Sequence, residues 1–199
     1  MIRRLPIIPT IVVLVAVAIM IGLGVWQLQR AQWKDGLLAQ YRQAQSLPPI
    51  AWPTVPPKSS QLPLFRHATG LCLRAIGHRA VAGENRSGEP GFAHIIDCAT
   101  GAEGPGMSVE VGWSKNPNAR PGWRGGLVSG VIAPDSRTQM RLVAASAPPG
   151  LEPSAPPSIA SIPNNHRSYA VQWFSFAAAA LIIYGLAVRK RLREEQPRP

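Results

Sequence analysis

Two long apolar blocks, one near each end of the chain, bracket a polar middle. Ile11 to Val25 carries no charged side chain and neither does Tyr169 to Val188, while most of the acidic and basic residues lie between them. A bilayer core about 30 Å thick takes roughly 20 residues of helix. Tyr169–Val188 supplies that length, and so does Leu5–Val25, whose Pro6 and Pro9 sit in a first turn where proline is tolerated. The pattern predicts two membrane helices with an exported segment between them. "WQLQRAQWKDGLLAQYRQAQ" then keeps strong helix formers and no proline until Pro48, so the first helix is expected to run outward to about residue 45.

In the middle the period shortens. "LFRHATGLCLRAIG", "HRAVAG", "FAHIIDC", "MSVEVGW", "LVSGVIA" and "TQMRLVA" alternate or run apolar like strands, and "GENRSGEPG" and "TGAEGPG" supply turns between them. Such spacing predicts a small antiparallel β domain, a sandwich or a barrel-like sheet. The predicted organisation is a cytoplasmic start over 1–10, a first span over 5–25 with its outward extension, and a proline-rich linker over 46–61. An exported β domain over 62–143, a second proline-rich linker over 144–163, a second span over 169–188 and a basic tail over 189–199 complete it. From their composition the linkers are not expected to build a core.

The first block also resembles a secretory signal, with "MIRR" as its basic start and "IVVLVAVAIM" as its centre. Against cleavage, the small-x-small pattern Ala16-Val17-Ala18 falls inside the apolar run. Trp26 just beyond that run suits a membrane interface. An uncleaved anchor is the expectation.

Charge adds orientation. The chain has a formal net charge of +11, and Arg3 and Arg4 before the first span and Arg189, Lys190, Arg191 and Arg193 after the second predict both termini on the cytoplasmic side. The central domain then faces the periplasm or an equivalent compartment. Because the basic residues flank membrane spans and scatter through the exported part, anionic lipid and topology explain them, and no nucleic-acid partner is expected. Both cysteines, Cys72 and Cys98, lie in the exported part, where an oxidising compartment allows a bridge. A disulfide and two buried thiols are both compatible with the sequence, and copper binding is a more distant reading.

Catalytic templates are missing from the sequence: no phosphate-cradling glycine loop, no G-x-S-x-G, no H-E-x-x-H. His67, His78 and His94 read as isolated polar strand residues, and no enzyme is expected. The chemistry concentrates on the second span. At 100° per residue, His166, Ala170, Trp173, Ala177, Ala180 and Tyr184 fall on one face. An imidazole at the membrane mouth stands over an indole and a smooth alanine track that a partner helix or a flat ligand could approach. A neutral imidazole can ligate haem iron, with Arg167, and Arg30 or Lys34 across the helix pair, as nearby cations. Equally, His166 reads with Asn164 and Asn165 as part of a helix cap. On the first span, Gly22 and Gly24 thin the helix, Trp26 and Arg30 share a face for an indole–guanidinium contact, and Trp26, Trp33 and Trp173 also read as interfacial anchors.

These two ends resemble the Surfeit locus protein 1 family. "GLGVWQLQR" is similar to its Gly-x-Trp-Gln-x-x-Arg signature through Gly24, Trp26, Gln27 and Arg30. "NNHRSYAVQWF" resembles its second signature through Asn164, Asn165, His166, Tyr169, Ala170, Gln172, Trp173 and Phe174. In the middle, Gly91 and Phe92 resemble a glycine-rich segment. "VEVGWSKNP" keeps Val109, Gly112 and Trp113 but has Val111 where the family usually has arginine. The resemblance implies an assembly factor for cytochrome c oxidase in the cell inner membrane, which binds haem a and aids its insertion into subunit I. It implies His166 as axial ligand, with Trp173, Tyr169, Trp26 and Arg30 completing the pocket. Subunit I, haem a synthase and the lipid bilayer are the implied partners. The alternative is a cofactor-free membrane scaffold that stabilises an oxidase intermediate by helix packing and periplasmic contacts. A generic membrane-tethered binding module is a third reading.

Overall fold

The computed structural model describes residues 6–53, 55, 57–101 and 106–194. Arg3, Arg4 and Leu5, residues beyond Glu194, and most of the "TGAEGPG" turn lie outside the described residues. The chain divides into two compact units: one from the two ends, up to Leu37 and from Pro163 onward, and the other Leu38–Ile162.

The first unit is helical. Helix α1 spans Ile7–Ser46, 40 residues and about 60 Å at 1.5 Å per residue, its last turns belonging to the second unit. Helix α2 spans His166–Glu194. Both are long and apolar enough to cross a membrane, and they are not the core helices of a soluble fold. Ile8, Val12, Ile182 and Ile183 are all more than 60% exposed, an apolar surface that water would penalise and lipid would not.

The second unit is a seven-stranded sheet. Its strands are β1 (Ile50–Ala51), β2 (His67–Cys72), β3 (Arg74–Glu84), β4 (Pro90–Ala99), β5 (Met107–Ser114), β6 (Gly126–Asp135) and β7 (Gln139–Ala144), in the order β1-β2-β6-β7-β5-β4-β3. The expected antiparallel arrangement needs correction. The sheet is mixed, because β1 runs parallel to β2 and β5 runs parallel to β7, and its ladder does not close into a barrel. The reason is the long loop from Lys115 to Gly125. It carries the chain past β5's neighbour, so that the β6–β7 hairpin inserts with β7, not β6, against β5. Alternation within each run showed strands but not which strands would meet.

The sheet nevertheless curls hard. Strand β2 is second from one edge and β3 forms the other edge, yet Leu73 alone joins them. Strand β2 and the far edge therefore meet at that corner, where the Leu73 amide donates to the Ala99 carbonyl at 3.0 Å. Cys72 of β2 and Cys98 of β4 form a disulfide there, with their Cα atoms 5.3 Å apart. Inside the curl lie Phe65, Ile96, Val109, Ile132 and Leu142, all buried. The proline-rich stretches also contribute: Trp52 is buried in this core, and Leu62, Leu151, Ile159 and Ile162 pack against it. On another face of the strands, Arg79 meets Asp135 at 2.9 Å, and Arg141 reaches Glu110 at 2.6 Å and Asp135 at 3.3 Å. These pairs tie β3, β5, β6 and β7 together.

Candidate functional site

The helical unit is an antiparallel pair held by small residues at seven-residue spacing. Val17, Gly24 and Ala31 are buried on α1, and Ala170 and Ala177 on α2. A seven-residue repeat keeps one seam facing a partner along a gently supercoiled pair, and small side chains bring the backbones close. At Gly24 the approach is tight, because a Cβ there would lie 2.6 Å from Cε1 of Phe174. Near one end of the seam the Thr10 and Tyr184 hydroxyls hydrogen-bond. The alanine track on α2 is thus met by α1.

At the other end the seam opens into a polar mouth. Lys34 Nζ donates to the Pro163 carbonyl at 2.5 Å. Asp35 accepts from Asn164 Nδ2 at 2.8 Å and from Arg167 at 2.9 Å. The Asp35–Arg167 pair is largely exposed, so its charge energy is small, and its use is to fix the start of α2 against α1. About two turns further along α1 toward its start, His166 Nδ1 lies 2.7 Å from Gln27 Oε1. An amide oxygen only accepts, so Nδ1 carries the proton and Nε2 keeps its lone pair. Among the described residues no group takes up Nε2. His166 therefore does not cap the helix with its side chain: Gln27 holds it. Asn164 Oδ1, beside it in sequence, is buried without a hydrogen-bond partner.

This donor arrangement suits a metal. Metal-ligating histidines characteristically donate their second ring N–H to an oxygen that fixes tautomer and orientation. Gln27 does so here, and a neutral imidazole is an axial ligand that haem iron accepts. The other expected pocket residues are distributed as follows. Trp26, one residue before Gln27, and Tyr169, one turn after His166, are each 50% exposed. Trp173 is half-buried and meets Phe176 edge-on at 6.3 Å. Arg30 does not pair with Trp26 as expected: its guanidinium carbon stands 4.7 Å from the Trp33 ring. On a helix both spacings bring side chains together, and the Arg30 stem turned toward the outer indole. Residues missed in the sequence are Gln27 as the histidine's partner and Asp35 as the hub of the mouth. Gln27 was in view as a signature residue, but nothing local linked it to His166.

A model of the SURF1 family matches residues 14–178. The chain belongs to the SURF1 family. The match takes in both polar faces of the mouth and the whole curled sheet. SURF1 proteins are known as assembly factors for cytochrome c oxidase, a family of helpers and not of enzymes. A comparison with curated proteins gives no significant match.

The β domain of this SURF1 chain holds one constellation that the sequence reading took apart. His78 and His94, read as isolated, are neighbours: His78 Nε2 lies 3.1 Å from His94 Nδ1, and the rings stack with centroids 5.3 Å apart. Register decides this, since His78 pairs with Ile96 and Ala80 with His94, making the histidines diagonal neighbours on one face. The "GENRSGEPG" turn, had its register been fixed, would have given the pair away. Among the described residues no group of three or more His, Cys, Asp or Glu side chains is placed to hold a metal ion.

Proposed function

We propose that this SURF1 chain binds haem a at the mouth of its helix pair, with His166 Nε2 as axial ligand, and helps deliver it to subunit I of cytochrome c oxidase. The observation that carries this reading is the Gln27–His166 hydrogen bond, which puts the ring proton on Nδ1 and leaves Nε2 free with its lone pair. Haem iron supplies an open axial position that such a nitrogen can fill. The protein's own part is orientation. Gln27 holds the ring, Asp35 and Lys34 fix the start of α2, and Trp26 and Tyr169 offer half-exposed aromatic faces to a flat ligand. Arg30, carried on the same turn of α1 as Trp33, offers a cation for the propionates.

In this reading the chain sits in the cell inner membrane with both termini cytoplasmic and the β domain periplasmic. The support is the basic set Arg189, Lys190, Arg191 and Arg193 after the second span. Haem a synthase is the natural donor of the cargo and subunit I its acceptor.

The test is pigment extraction and an absorption spectrum of the full chain purified from cells that make haem a. His166→Ala is expected to lose the bound haem, and Gln27→Leu to lower its occupancy by about tenfold while the polypeptide accumulates normally. Full haem with an unchanged spectrum in His166→Ala rules out the ligand assignment. If that variant still co-purifies with subunit I, the cofactor-free scaffold becomes the better reading.

A further inference from the structure

The β domain has an open cavity of about 440 Å³ between β3, β4 and the loop of Arg120–Arg124, and nothing in haem handling calls on it. Its lining is basic. Arg120 and Arg124 are both exposed there, with no acidic partner among the described residues. Trp123 between them is anchored against the core and makes a rigid wall. A side chain at Gly122 would meet nothing within 4 Å, so the loop leaves room for a ligand at that point.

His78 lines the cavity, and its hydrogen bonds determine what it presents. Ser114 Oγ donates its one proton to the Asn116 carbonyl at 2.9 Å. It can then only accept from His94 Nε2, 2.8 Å away. The His94 Nε2 is therefore protonated, and its Nδ1 accepts from His78 Nε2. The one ring nitrogen of His78 left over is Nδ1, on the residue that lines the cavity. His94, fully buried, is committed to this chain of bonds, whereas His78 can gain a proton at Nδ1 without breaking any of it.

We propose that this cavity is a binding site for a phosphate-type oxyanion, held by Arg120 and Arg124 and by His78 through Nδ1. Two guanidiniums and an imidazole that becomes a second donor on protonation are the groups such an anion requires. Asp97, opposite Gly77 in the β3–β4 register, does not neutralise them, because Ser108 at 2.8 Å and Arg137 at 3.6 Å occupy it. Burial, and then the Arg120 charge, hold the His78 pKa below its ordinary value, and burial and then His78 do the same to His94. An anion between Arg120 and His78 reverses the Arg120 effect. Binding therefore takes up a proton at His78 and strengthens as pH falls.

Calorimetric titration of the full chain in non-ionic detergent tests this. Sulfate, whose charge is constant across the range, is the probe for pH, and inorganic phosphate and short-chain phosphatidylglycerol are the probes for source. Sulfate is expected to bind several-fold more tightly at about pH 5.5 than at about pH 7.5. The Arg120→Gln, Arg124→Gln double variant is expected to lose about tenfold in affinity or more. Both arginines are exposed, so unchanged circular dichroism and melting are expected to show that its fold is intact. His78→Gln is expected to flatten the pH profile while arginine-dependent binding persists. Tighter binding of phosphatidylglycerol than of phosphate assigns the site to a lipid headgroup, and equal binding assigns it to the free anion. No sulfate binding, or equal binding by the double variant, overturns the proposal, and a flat profile in the unaltered protein removes His78 from the site.

Discussion

A single hydrogen bond distinguishes His166 from an ordinary cap residue, and a single carboxylate does comparable work in the sheet. Asp135 is buried, which pushes its carboxyl pKa up. The Thr138 amide and hydroxyl and the Arg79 guanidinium outweigh that and hold it down at about 2. The group is therefore more acidic folded than unfolded, so it stabilises the domain above the unfolded value and loses that contribution as pH falls toward 2. Its share is about 2 kcal/mol. Asp135→Asn is expected to lower the melting temperature of the β domain at neutral pH and to reduce the loss of stability between about pH 4 and pH 2. Melting curves across that window read both, and an unchanged acid limb would show that other carboxylates set it. The Thr138 part of this is local, three residues along the chain, but nothing near Asp135 announces Arg79, which lies far away along the chain and arrives through the curl of the sheet.

Among the elements, the helix pair was the most legible. Length and apolar content marked both helices, and the face carrying His166, Ala170, Trp173 and Ala177 is the one turned toward α1. What the sequence could not give was the partner of each position. Phe174, off that stripe, is the side chain that fills the space over Gly24. The two neighbouring glycines of α1 therefore differ: a side chain at Gly22 meets nothing within 4 Å, whereas one at Gly24 collides with the Phe174 ring. Gly24→Leu is expected to push the helices apart, lengthen the Gln27–His166 contact and reduce haem content severalfold, while Gly22→Leu leaves it unchanged. Haem occupancy of the two purified variants checks this, and equal behaviour would mean that the close crossing is unimportant for the site. The strands were legible one by one, through alternation and turn residues. Their neighbours were not, because pairing depends on which loop is long enough to cross over, and the parallel β5–β7 contact has no local signature.

In the β unit as a whole, the covalent link and the Arg79–Asp135 pair span strands that the ladder does not join. The Cys72–Cys98 bridge closes a segment with a sequence separation of 26, worth about 3 kcal/mol in chain-entropy terms. Replacing both cysteines by alanine is expected to lower β-domain stability by roughly that amount. Chemical melting of the variant against the unaltered protein measures it, and a change below about 1 kcal/mol would show that hydrophobic packing alone holds the curl. Cysteine position in the sequence allowed this bridge without choosing it, since it takes the β3–β4 register and the Leu73 corner together to bring Cys72 beside Cys98. The proline-rich stretches escaped composition in the same way. Their core residues are single large side chains such as Trp52 set among prolines, with no period to reveal them.

The one-residue corner at Leu73 also sets an order of events during folding. Strand β3 pairs with β4 through Arg74–Ala99 and Ala75–Cys98, and the Leu73 amide carries that pairing one step further to the Ala99 carbonyl, so the β3–β4 hairpin alone brings Cys72 to Cys98. Bridge formation then needs one hairpin and not the assembled sheet. Thiol trapping during refolding should show both cysteines protected before the fluorescence of buried Trp113 has reached its native value, and protection only after that point would show that the other strands must dock first.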